Sequence, residues 1–387
     1  MTKVILLGAG FSRAINQQMP LMADLASAVL ERLGLPASTL APSGQDLEAW
    51  LAHLASDEPW LMDSDNLRNH ACFLEGVRAI YDSIVEAESK STDHFPSWLD
   101  RLAWQWSHEG ATILTFNYDT LLEIALVQTR WTHNLVHYYS VPLVERQLPG
   151  TGGIFAETPP TRALPTLLKL HGSINWMHAG DKAPSTEQLV YRPRFQKAEN
   201  DSARYTDLEP FLVPPTSAKN TYYGKTALTA QWREAATALR AADELDVIGY
   251  SFPASDLATR TFLATNLSAT ANVTVVDPGE SALQSASRAL PEHTLDSHMH
   301  SVEAYADLRA GTRISAWYDR LNPDLPLNWE IDGVVSSEPL NDSYSSDIVE
   351  RIVRQRYGSA RYIVGGGRSL NEDRIRTIEA FAPYPGT

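Results

Sequence analysis

From Lys3 to Leu7 the chain is apolar without alternation, which suits a parallel strand covered on both faces, and it breaks at once into Gly8-Ala9-Gly10-Phe11-Ser12. Hydrophobic positions then recur at helical spacing as far as about residue 110. Met19 to Leu33 is periodic and stops at Gly34-Leu35-Pro36, a glycine stop followed by proline. Ser43 opens a capping-box-like pattern with Asp46 that leads into Leu47, Leu51 and Leu54. Asn66 to Glu88 and Ser97 to Trp106 predict two further helices. In the second, Trp98, Leu102 and Trp106 form an i, i+4, i+8 stripe that reads as core.

Thr112 to Thr115 is the next predicted strand, Tyr118 to Val127 its helix, and Leu167 to Leu170 a third strand. Around that strand the pattern lapses. Residues 139–165 are rich in Pro, Gly and Thr, and residues 178–220 are irregular and Pro-rich, so a loop or lid insertion is expected over about 139–220. Alternation then resumes with a helix over Tyr222 to Ala242, a strand over Leu245 to Gly249, a helix capped by Ser255 and running to about Leu267, and a strand over Asn272 to Val276. Strands alternating with helices predict an α/β fold, a doubly wound parallel Rossmann-like sheet over residues 1–325 with a helical insertion at about 36–110. A small α/β appendage is expected over 330–387: a helix at Ser345 to Tyr357, a short strand at Arg361 to Val364 and a helix at Leu370 to Phe381.

Composition narrows the chemistry more than the fold. A chain of 387 residues exceeds one small core, and 43% hydrophobic with 20% charged residues is ordinary for a soluble globular protein. No run approaches the roughly 18 apolar residues needed to span a bilayer, and Val4 to Leu7 is too short for a signal peptide. A cytoplasmic protein without membrane contact is expected. The formal charge of −15 argues against broad nucleic-acid binding. The single Cys72 excludes an internal disulfide and a Cys-rich zinc site, and its helical context reads as a small buried apolar residue. His133 and His137 are four apart, but Asn134 stands where a zinc protease needs glutamate, and His298-Met299-His300 suggests no third ligand; no metal site is expected.

Four short segments fall at the C-terminal ends of predicted strands, where open α/β sheets bind ligands. Gly8, Ala9, Gly10, Phe11 and Ser12 form a glycine turn able to approach a pyrophosphate, although Arg13 stands where a standard dinucleotide fingerprint wants glycine. In Thr115-Phe116-Asn117-Tyr118-Asp119, Asn117 suits a helix cap or a contact to a ribose hydroxyl or water. In Lys169-Leu170-His171-Gly172-Ser173, His171 is placed as a structural residue or a general base. Gly249-Tyr250-Ser251 offers a phosphate contact, and Asp277 at the end of the next strand offers a carboxylate to an adenosine ribose.

Taken in order, these blocks resemble the sirtuin family across roughly residues 3–280. The nearest likeness is to SIR2-like NADases of bacterial antiphage defence, which share T-x-N-Y-D and K-L-H-G-S-x-x-W. The resemblance implies NAD as substrate, cleavage of its nicotinamide–ribose bond, Asn117 and His171 as catalytic residues, and Asp119 at the nicotinamide carboxamide. It also implies a homo-oligomer, with a partner ATPase or a phage-derived activator. One cysteine cannot supply the zinc module of the deacylases, and Met19-Pro20-Leu21-Met22 replaces their Pro-x-Phe-Arg segment. NAD-dependent deacylation or ADP-ribosyl transfer, a non-catalytic NAD or ADP-ribose sensor and a structural subunit are the competing readings.

Overall fold

The computed structural model describes residues 2–43, 46–91, 95–128, 134–145, 164–180, 184, 187–192, 207–216, 223–310, 312–319, 327–331, 334–338, 362–368 and 375–382. Its strands are β1 (Lys3–Leu7), β2 (Thr112–Thr115), β3 (Val144–Glu145), β4 (Thr166–Lys169), β5 (Gly172–His178), β6 (Val190–Tyr191), β7 (Glu209–Leu212), β8 (Glu244–Ile248), β9 (Asn272–Val276), β10 (Leu295–Met299), β11 (Thr312–Asp319), β12 (Leu327–Ile331), β13 (Val334–Glu338), β14 (Tyr362–Arg368) and β15 (Ile375–Ala382).

The main sheet runs β10-β9-β8-β1-β2-β4 with every pairing parallel. In sheet order that is the doubly wound arrangement of two halves meeting at β1 and β8, where the direction of winding reverses. The continuous apolar runs explain it, because successive side chains of one strand feed opposite faces. Ile5, Leu7, Ile113, Leu167 and Ile248 join one buried cluster, while Val4, Leu6, Leu114, Leu168 and Val247 join the other.

The helical insertion follows α1 (Ala9–Ile15) and comprises α2 (Met22–Leu33), α3 (Leu47–Ala55), α4 (Asp63–Ser89) and α5 (Ser97–Glu109). Gly34 stops α2 in the left-handed conformation at φ 64°, as Gly-Leu-Pro predicts. The tryptophan stripe of α5 is core: Trp98, Leu102 and Trp106 are buried. Cys72 is half-buried and packs against the same cluster. Two caps differ from expectation. Asp46, not Ser43, caps α3 by accepting from Glu48 N at 2.9 Å; the helix over Leu257–Asn266 is capped by Asp256, not Ser255. In both places aspartate lies directly before the first helical residue, where its short carboxylate reaches the bare amides.

The stretch expected to be a loop insertion contains β3, β6 and β7, which join β5 in a four-stranded sheet ordered β3-β6-β5-β7. The tail also differs. The helix expected at Leu370 to Phe381 is instead strand β15, paired antiparallel with β11 from Thr312↔Ala382 to Asp319↔Ile375. Ile375, Ile378 and Phe381 mimic helical spacing, but β-branched Ile375, Thr377 and Ile378 favour a strand, and eight residues of pairing with β11 decide it. β14 covers the strand expected near Arg361 to Val364. The helix expected at Ser345 to Tyr357 lies outside the described residues. Among the described residues no helix is long and apolar enough to cross a membrane.

Candidate active site

The ends of β1 and β8 meet backbone to backbone. Gly8 N donates to Ile248 O at 3.0 Å and Gly10 N to Gly249 O at 2.9 Å, so this loop gives amides to its neighbour. A Cβ on Gly8 would fall 2.5 Å from Gly249 O, and one on Gly249 would fall 2.2 Å from Phe11 N. Gly249 also sits at φ +64°, where side chains are strained. Gly249→Ala is therefore expected to cost about 3 kcal/mol or more, measured by chemical denaturation.

Along this seam, at the C-terminal ends of the strands, lies a cavity of about 720 Å³. That is the position and size expected of a small-molecule site in an open α/β sheet. Gly8, Ala9, Gly10 and Ser12 line it from β1, Asn117 and Asp119 from β2, and His171 from the turn after β4. Gly249 and Ser251 line it after β8, and Asp277 after β9. One expected contact is corrected: Phe11 is absent from the lining. Its ring is 1% exposed and packs on Trp98 and Trp106 of α5, at centroid distances of 5.8 and 6.0 Å, because an apolar ring is better buried against the insertion than facing a polar ligand.

Asn117 is no helix cap. The next helix, α6 (Leu121–Gln128), begins beyond it, and Asp119 Oδ1 accepts from Leu121 N at 3.2 Å. Asn117 Nδ2 instead donates to Gly8 O and to Ser12 Oγ, each at 2.9 Å. Ser12 Oγ passes the chain on, donating to Asp119 Oδ2 at 2.7 Å. A carbonyl can only accept, so Gly8 O fixes which way the Asn117 amide faces. Both its N–H groups are committed, and Oδ1 is what the amide offers a ligand. Ser12 is 3% exposed, which makes it a positioning residue for Asn117 and Asp119.

Beneath this chain lies a buried ionic support. Lys169 Nζ donates to the main-chain oxygen of Asp119 and to Glu123 Oε1, the latter at 2.7 Å with both side chains at most 2% exposed. Tyr139 OH also donates to Glu123, at 3.0 Å, and accepts from Asn175 Nδ2 at 3.1 Å. Burial pushes the Glu123 carboxyl up, against the lowering influence of Lys169. The insertion adds a second brace: Glu88, near the end of α4, accepts from Thr120 N at 2.6 Å and from its hydroxyl at 3.1 Å.

His171 is 6% exposed and sits among aromatic rings, 4.9 Å from Phe116 and 6.4 Å from Tyr118 by centroid. Tyr250 continues this wall, 5.1 Å from Phe116, and donates to Asp256 Oδ2 at 3.1 Å. Burial, then the charges of Asp256 and Glu48, hold the Tyr250 phenol well above its ordinary value, and the same three causes raise Tyr223. Both phenols therefore stay protonated at neutral pH.

Several further residues line the cavity that the sequence did not single out as ligand contacts. Asp46 and Glu48 reach the cavity from α3, Asp256 and His300 from the loops after β8 and β10, and Leu21 with Met22 form a half-exposed apolar rim. Asp256 adjoins the Gly249-Tyr250-Ser251 block, but Glu48 arrives only because the insertion folds back over the sheet. Among the described residues no three His, Cys, Asp or Glu side chains gather as metal ligands.

No protein-family model matches the chain, and no curated protein does. Solved structures similar to it are Sir2 proteins. A mutant Sir2 homologue in complex with ADP-ribose gives a TM-score of 0.41 at 16% identity, covering 79% of this chain and 89% of that one. A Sir2 homologue in complex with NAD gives 0.38 at 14%, covering 79% and 86%. A Sir2 complex with a p53 peptide and NAD+ gives 0.36 at 14%, covering 79% and 90%. The doubly wound fold rests on the strand order above, and the site on its own geometry.

Proposed function

We propose that this protein is a NAD+ hydrolase, which breaks the nicotinamide–ribose bond and releases nicotinamide and ADP-ribose. The observation that carries the reading is the Asn117 amide, locked with Oδ1 as its remaining group in a cavity that His171 also lines. An amide held that way accepts a hydrogen bond from a water or a ribose hydroxyl and so aims its oxygen lone pair. The glycine seam of β1 and β8, with Ser251, adjoins the pyrophosphate. Asp277, whose Oδ1 accepts from Gly279 N at 2.9 Å, faces the adenosine ribose. Asp119, tied by Ser12, faces the nicotinamide carboxamide.

The reaction then balances simply. The water oxygen bonds to ribose C1′ as the C1′–N bond breaks, its electron pair returns to the nicotinamide nitrogen, and the water proton passes to His171. The aromatic wall of Phe116, Tyr118 and Tyr250 limits stray water around the cationic ribosyl centre. An unchecked hydrolase of this kind would exhaust its own cell. The resemblance to antiphage NADases supports a cytoplasmic effector held in check until a phage-derived trigger or a partner ATPase releases it.

The test is NAD+ consumption by the full chain, with nicotinamide and ADP-ribose quantified, beside His171→Ala. Whatever turnover the enzyme shows while held in check is expected to release both products equally, with the variant slower by about 10²–10⁴-fold. Absence of NAD+ binding by calorimetry would overturn the reading, and so would unchanged turnover in His171→Ala.

A further inference from the structure

Helix α4 has two faces of opposite character. Phe73, Gly76, Ile80 and Ile84 are buried against the rest of the insertion. On the other side Asp63, Leu67, His70, Ala71, Leu74 and Arg78 are all exposed, Leu67 at 72% and Leu74 at 41%. At about 100° per residue these six occupy an arc of roughly 100°. Just before the helix, Trp60 and Met62 are 71% and 75% exposed, extending the apolar area at its N-terminal end. An apolar stripe of this kind on a soluble domain marks a contact surface.

The order of residues along the stripe says what fits it. It reads acid, leucine, His-Ala, leucine, base, and is self-complementary when reversed. Laid antiparallel on a second copy about a two-fold axis between His70 and Ala71, Leu67 meets Leu74 of the partner subunit. Asp63 then meets Arg78 of the partner subunit, and the same contacts recur on the other side of the axis. A parallel arrangement would instead set like charge on like charge. Arg78 holds Glu75 of its own helix at 2.6 Å, and its planar fork has further N–H groups for the partner's Asp63.

We propose that α4 is a homodimer interface, two copies of this chain packed antiparallel along Asp63 to Arg78. The segment is about 24 Å long at ~1.5 Å per residue, so the interface lies toward the small end of stable ones and the dimer is concentration-dependent. This surface is separate from the cavity, and the proposal stands whatever reaction the cavity performs.

Sedimentation velocity of the full chain across micromolar concentrations tests it. A monomer–dimer equilibrium is expected. Leu67→Asp and Leu74→Asp should each give monomer, with the circular dichroism spectrum unchanged because both positions are exposed. Asp63→Arg and Arg78→Asp should each weaken the dimer at least about tenfold, since each sets like charges together twice. An equimolar mixture of those two variants should dimerise like the parent, because both ends of the mixed pair regain opposite charges. Monomer at every concentration would overturn the proposal. A dimer indifferent to Leu67→Asp, or one that the mixture fails to restore, would do the same.

Discussion

Asn117→Ala is expected to lower NAD+ turnover by about 10²–10³-fold while leaving the affinity for NAD+ within a few-fold of the parent. The split follows from geometry. The amide is one small group in a cavity of about 720 Å³ whose other walls stay intact, but it is the one whose acceptor is fixed by two internal donations. Asn117→Asp sharpens the expectation. A carboxylate has no N–H to give Gly8 O or Ser12 Oγ, and it would add a negative charge next to the Ser12–Asp119 pair. It should therefore be no better than alanine, although it keeps the shape and one oxygen. Steady-state kinetics with calorimetric NAD+ binding would measure both. An active Asn117→Asp would show that the amide's orientation is not what the site uses.

Much of this was legible in the chain because the same physics wrote it twice. A strand buried on both faces leaves an uninterrupted apolar run, and β1, β2 and β9 appear within a residue of where Lys3 to Leu7, Thr112 to Thr115 and Asn272 to Val276 place them. The lining residues at strand ends were legible for a related reason: glycines, Asn117, His171 and Asp277 each follow a strand. β10 was harder. Leu295-Asp296-Ser297-His298-Met299 is an edge strand, paired on one side alone, and its composition fits neither the buried run nor clean alternation. Side-chain direction around the cavity was less legible. Phe11 lies inside the glycine block but turns to Trp98 and Trp106, and Glu48 lies far from every motif but faces the cavity. Both depend on how the insertion packs, which local spacing does not encode.

Lys169→Met is expected to destabilise the fold by about 3–5 kcal/mol, the loss typical of stripping one partner from a buried ion pair. Lys169 is fully buried and supports the site loop twice, through Glu123 and through the main-chain oxygen of Asp119. Methionine fills the space but leaves a carboxylate without its cation. The double variant Lys169→Met/Glu123→Leu should recover most of the loss, because it removes the stranded charge together with its partner. The pH dependence separates this cause from packing. Burial already raises the Glu123 carboxyl above 4.5, and Lys169 is what pulls it down. Without Lys169 the folded-state value rises further, so Glu123 adds stability below about 4.5 and loses it as pH climbs through that raised value. The deficit of Lys169→Met against the parent should accordingly be widest near neutral pH and shrink on acidification. Denaturant titrations at several pH values would show it; a deficit that stayed constant would assign the cost to lost packing rather than to the stranded carboxylate.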